Sequence, residues 1–140
     1  MTTIASGLLS ALAYGAVGTV LLALGYLLVD LVTPGKLHEQ IWTDRNRNAA
    51  LVLVSGLAAV AIIVTTAIVT SENGLAAGLL STALYGVLGV VFMAVAFVLL
   101  DLATPGRLGE LLVQPEPHPA VWVTAVINLA LGAIIAAAIS

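Results

Sequence analysis

The 140-residue chain is 61% hydrophobic and 8% charged, with 4 basic and 7 acidic residues and a mean hydropathy of +1.19. Soluble domains carry about 25% charged residues, and a domain this small exposes too much of its chain for so little polar material to cover. The composition therefore assigns the chain to a membrane. The absence of cysteine excludes a disulfide framework, a thiolate metal site and a cysteine nucleophile, and a net charge of −3 excludes a nucleic-acid footprint.

In chain order, the first apolar stretch runs from Ile4 to Val32 and is uncharged until Asp30. Residues Met1 to Gly7 lack Lys and Arg, and the apolar run exceeds a signal-peptide core, so it reads as a retained span. Proline restricts its predecessor, so this helix is expected to end at Thr33-Pro34-Gly35. In Lys36–Trp42, Leu37 and Ile41 stand at helical spacing, which predicts a short helix lying on the membrane surface. The second span covers Asn48–Thr70, with Asn48 expected to cap it. Ser71–Gly74 is a short turn, enforcing an antiparallel hairpin.

The third span, Leu75–Ala103, is uncharged until Asp101 and ends on Thr104-Pro105-Gly106. A second surface helix is expected over Arg107–Val113, carrying Leu108 and Leu112. A stiff connector, Gln114–Pro119, leads into the last span, Ala120–Ile139. Each span reaches the ~20 residues that a helix needs to cross the hydrocarbon layer. Helices are the economical way to satisfy the backbone there, and four segments without alternation cannot close a barrel.

Sliding the sequence by 71 positions lays Gly7–Ile41 over Gly78–Leu112 with 17 of 35 residues identical. The matches include both Ser-x3-Tyr-Gly-x2-Gly segments and both Asp-Leu-x-Thr-Pro-Gly segments. After a further nine-residue slip, Trp42 meets Trp122, Asn48 meets Asn128 and Ala50 meets Ala130. The expected fold class is an all-α integral membrane protein with four transmembrane helices in two tandem hairpins, residues 1–74 and 75–140. An even number of spans per repeat makes the repeats parallel, unlike the inverted repeats of many secondary transporters. All basic residues, Lys36, Arg45, Arg47 and Arg107, follow the first and third spans. The positive-inside rule then predicts cytoplasmic basic loops and both termini outside.

Asp30 and Asp101, with Thr33 and Thr104, are the principal candidate ion or structural polar sites. An anion in the last turn of a helix opposes its dipole and needs compensation, for which the loop basic residues and Asn48 are within reach. One reading makes the aspartates a cation or proton site near the inner mouth of a pathway; the other, which their shallow depth favours, has them fixing the helix–loop corner. Asn128 lies ~12 Å into the last span by helical rise and requires a partner, with Tyr14, Tyr85, Ser81 or another subunit's copy as candidates. Ser10, Tyr14, Gly18 and Gly25 recur on the first span, and Ser81, Tyr85 and Gly89 on the third. Such stripes predict helix packing, within the chain or between subunits. Trp42 and Trp122 suit interface anchors. His38 and His118 fall outside the spans, where no ligand spacing predicts a metal or haem site. No nucleophile, base and orienting group can be assembled, so neither an enzyme nor a cofactor is expected.

The repeated Asp-Leu-x-Thr-Pro-Gly closing one helix, with Asn48-Ala-Ala50 opening the next, resembles the bacterial YjfL-like membrane family, domain of unknown function 350; the second repeat departs from it at Asn128-Leu-Ala130 and in its longer Pro-rich loop. The resemblance covers nearly the whole chain. It implies a small bacterial plasma-membrane protein with four spans, no assigned reaction and a membrane-stress context. The overall expectation is a non-enzymatic, homo-oligomeric inner-membrane protein presenting its loops to other membrane proteins. The rival expectation is a proton, cation or small-solute pathway through Asp30 and Asp101.

Overall fold

A computed structural model describes residues 2–140; residue 1 of the expected first repeat lies outside the described residues. Among the described residues, six helices follow one another: α1 Thr2–Val32, α2 Leu37–Trp42, α3 Arg47–Val69, α4 Leu75–Ala103, α5 Leu108–Leu112 and α6 Pro119–Ile139. There is no strand among the described residues. The four long helices are each apolar enough to cross a membrane, with mean hydropathies of 2.0 to 2.6. The two short ones occupy the positions where surface helices were expected.

Helix length alternates along the chain. α1 and α4 have 31 and 29 residues, whereas α3 and α6 have 23 and 21. At 1.5 Å per residue the longer pair measures about 45 Å, well beyond a ~30 Å hydrocarbon layer, and must tilt or protrude. The shorter pair measures about 33 Å and just spans it. The end carrying α2 and α5 is called the loop side below, and the Ser71–Gly74 end the turn side.

α3 is the central element. Half of its most apolar stretch is buried, against at most 28% for any other span. α1 and α6 sit at opposite corners, each packed on both α3 and α4. Val52, Ala59, Val60, Ile63 and Ala67 form the covered stripe of α3. Val121, Ala125, Asn128, Gly132 and Ile135 form that of α6. Lipid tails are as apolar as leucine, so close backbone approach rather than hydrophobic burial holds such helices together. Gly132 shows this directly: a Cβ there would stand 2.8 Å from the Ala59 Cα.

Candidate functional site

The loop-side corners begin with Thr-Pro-Gly. Gly35 and Gly106 adopt φ of +85° and +92°, a left-handed conformation that side chains disfavour. The chain thereby turns back sharply after the proline. Thr33 and Thr104 donate their hydroxyls to the carbonyls of Val29 and Leu100 in the turn before. These bonds close the helix end internally and leave neither threonine available as a ligand through its hydrogen.

Asp30 and Asp101 then act across the turn. The Asp30 Oδ1 accepts a hydrogen bond from the Leu37 amide at 3.0 Å, and the Asp101 Oδ1 accepts one from the Leu108 amide at 2.7 Å. Leu37 and Leu108 are the first residues of α2 and α5, whose amides have no partner within their own helix. Neither Lys36 nor Arg107 caps its helix through its side chain. Each aspartate therefore caps the next helix from seven residues away. Among the described residues, no basic side chain lies within 4.0 Å of either carboxylate; the single ion pair joins Lys36 to Glu39 at 3.7 Å. The compensation expected from basic side chains is supplied instead by a backbone N–H.

Leu37, Leu108 and Leu112 are fully buried beneath these short helices. In the first corner, the Gln40 amide nitrogen donates to the Pro34 carbonyl, and His38 stacks on Trp42 with ring centres 5.3 Å apart. Trp42 and Trp122 are both largely exposed, as rings at a membrane interface are.

Two asparagines differ from their sequence-based expectations. Asn46, not Asn48, caps α3, its side chain accepting from the amides of Asn48 and Ala49. Asn48 is one residue inside the helix and turns its amide nitrogen to the last turn of α5 and the connector that follows it. It reaches the carbonyls of Glu116 at 2.7 Å, Gln114 at 3.2 Å and Leu111 at 3.4 Å. Asn128 does find a partner in the membrane, but it is Ser55 on α3 at 3.1 Å, not Tyr14, Tyr85 or Ser81. Apolar composition all round α6 concealed which of its faces meets α3.

A family described as Domain of Unknown Function (DUF350) matches residues 3–139. The chain belongs to this family. A UPF0719 transmembrane protein of Mycobacterium bovis is 42% identical over 140 residues, covering 100% of this chain and 92% of the relative. One from Mycobacterium tuberculosis is also 42% identical with the same coverage, and one from Mycolicibacterium paratuberculosis is 36% identical, covering 100% and 93%. No solved structure matches. With four helices able to cross the bilayer, this DUF350 chain is a multi-pass membrane protein.

The small-residue stripes of this DUF350 protein face several neighbours. Gly18 and Gly25 lie against Val64 and Val60 of α3, Gly86 against Leu21 of α1 and Gly89 against Ile63 of α3. These close approaches are filled from within one chain, whereas Gly15 has no neighbour within 4 Å. Ser10 and Ser81 donate to carbonyls of their own helices, Ser6 and Ala77. The Tyr14 and Ser71 hydroxyls meet at 3.0 Å on the turn side, in space that only a glycine at position 78 leaves open. His118 caps α6 through its Nδ1, which accepts from the Ala120 amide at 3.1 Å, with Pro119 at the first helical position as expected of a helix start. No three of His, Asp and Glu converge on a metal-sized space among the described residues.

Among the described residues, two pockets with polar linings and one internal void lie along the bundle. A turn-side pocket of about 160 Å³ is lined by Ser71, Glu72, Asn73, Ser81 and Tyr85. A loop-side pocket of about 470 Å³ contains Asp101, Arg107 and Glu110. Between them, a void of about 20 Å³ touches Asn128 and all four long helices, room for one water molecule.

Proposed function

We propose that this protein is a non-enzymatic inner-membrane component whose two capped corners form a rigid platform at the cytoplasmic surface for membrane-associated partners, including further copies of itself. The observation that carries this reading is the paired use of Asp30 and Asp101 as acceptors for the first amides of α2 and α5. A carboxylate that orients a surface helix does structural work, and two such helices build a shaped surface from few residues. The orientation follows the one-sided placement of the four basic residues.

The pathway reading has less support. Between the small void at Asn128 and the turn-side pocket lie Leu21, Val60 and Ile63, each at most 2% exposed, with no charge to stabilise a passing ion.

The discriminating experiment is proton and cation flux into proteoliposomes. Asparagine keeps the acceptor oxygen but removes the charge. The platform reading predicts that wild type and Asp30→Asn/Asp101→Asn give the same background flux and the same unfolding midpoint. Flux in the wild type that disappears in the double variant would establish the pathway instead. Orientation is checked with single cysteines: one at position 73 reacts with an impermeant thiol reagent from outside, and one at position 44 does not.

A further inference from the structure

The loop-side pocket of about 470 Å³ lies between the loop-side ends of α1 and α4, with α5 as its floor. Leu31, Val32, Pro34 and Phe97 supply an apolar wall, and Asp101, Arg107 and Glu110 the polar part. Asp101 stands two residues before the end of α4, which sets the pocket at the boundary between hydrocarbon and headgroups. Leu31 of this wall is 82% exposed, so in a bilayer its outer side would meet acyl chains.

The charges in this pocket are not matched to one another. Among the described residues Arg107 has no carboxylate within 4.0 Å, although two acidic residues line the same space. Asp101 has one oxygen on the Leu108 amide and its second oxygen remains available. The corresponding positions of the first corner behave differently. There Lys36 pairs with Glu39 and His38 stacks on Trp42. In the second corner Gly109 stands in place of His38; a Cβ there would be 2.8 Å from the Val32 carbonyl and 3.1 Å from Pro34. The missing side chain lets α5 abut the end of α1, and this contact closes one wall of the pocket.

We infer that this pocket binds the headgroup of a zwitterionic aminophospholipid from the adjoining leaflet, its phosphate on Arg107 and its primary ammonium on Glu110 and the free oxygen of Asp101. The guanidinium matches phosphate geometry with two parallel donors, and an ammonium with three donors can serve two carboxylates. Charged pockets between transmembrane helices at this depth are suited to lipid headgroups. A headgroup bearing only phosphate and hydroxyls would leave both carboxylates facing an anion. The inference goes beyond the platform reading and does not depend on it.

The test is lipid retention by native mass spectrometry of delipidated protein, using phosphatidylethanolamine and phosphatidylglycerol with identical acyl chains. Wild type is expected to retain phosphatidylethanolamine about tenfold better, the factor that one charge-assisted contact supplies. Arg107→Gln should lose this retention. Glu110→Gln should lose the preference between the two lipids. Lys36→Gln should match wild type. Both pocket side chains make no hydrogen bond or ion pair within the chain among the described residues, so the variants should keep the wild-type unfolding midpoint. Equal retention of the two lipids by wild type would overturn the proposal. So would equal loss in Arg107→Gln and Lys36→Gln. Displacement of the lipid by phosphoethanolamine at micromolar concentration would point to a soluble ligand and overturn the lipid assignment.

Discussion

The two loop-side corners carry the same motif but are finished differently. Both turn at Thr-Pro-Gly, and in both an aspartate caps the helix that follows. The first corner then locks itself: Gln40 holds the Pro34 carbonyl, Lys36 meets Glu39 and His38 lies on Trp42. The second has Leu111, Arg107 and Gly109 at the matching positions and makes none of these contacts. Its connector is held instead from outside, by Asn48 of the first hairpin. The difference separates what the motif provides, a capped corner, from what its surroundings add. One corner is closed by its own side chains; the other is kept open around a charged pocket.

The difference can be broken most strongly at Asn48. Asn48→Leu removes, at a buried position, the donor to two connector carbonyls and to that of Leu111 in α5, which should cost about 2–3 kcal/mol of unfolding free energy in detergent. Hydrogen exchange should accelerate around Gln114 and leave α2 unchanged; equal acceleration at both corners would show that Asn48 does not serve the second one selectively. Next in size is the cap itself. Asp101→Ala should cost about 1–2 kcal/mol, because it leaves the Leu108 amide without a partner. Asp30→Ala should cost less, since Gln40 still fastens its corner; a larger loss at Asp30 would invert the comparison. The smallest effect is expected for Gln40→Leu, which gives the first corner the apolar character of Leu111. It removes a bond to Pro34 but also a buried carbonyl oxygen that has no partner. The two contributions oppose, so the unfolding free energy should change by less than about 1 kcal/mol.

The spans were legible because length and the absence of charge decide them. Leu75–Ala103 was anticipated to the residue, and the others to within two residues at either end. The corners were legible as breaks, since proline and glycine act locally. What the aspartates bond was not, because a contact seven residues away depends on how sharply the chain turns between them. Rotation of the helices was harder still. The α6 sequence is apolar on every side, so nothing indicated that Asn128 would meet Ser55 or that Gly132 would touch Ala59. The role of Asn48 is hidden in the sequence for a related reason. Asn46 and Asn48 are both chemically fit to cap α3, and only the position of the other hairpin's connector distinguishes them.

The aspartates hold α2 and α5 by their first amides. Hydrogen exchange at Leu37 and Leu108 in wild type, the Asp→Asn variants and the Asp→Ala variants tests that most directly. Both amides should be protected in wild type and in the asparagine variants, and each should exchange at the rate of an open loop when its own aspartate becomes alanine. Protection that persists in both alanine variants would contradict the capping role and leave the two carboxylates without the function assigned to them.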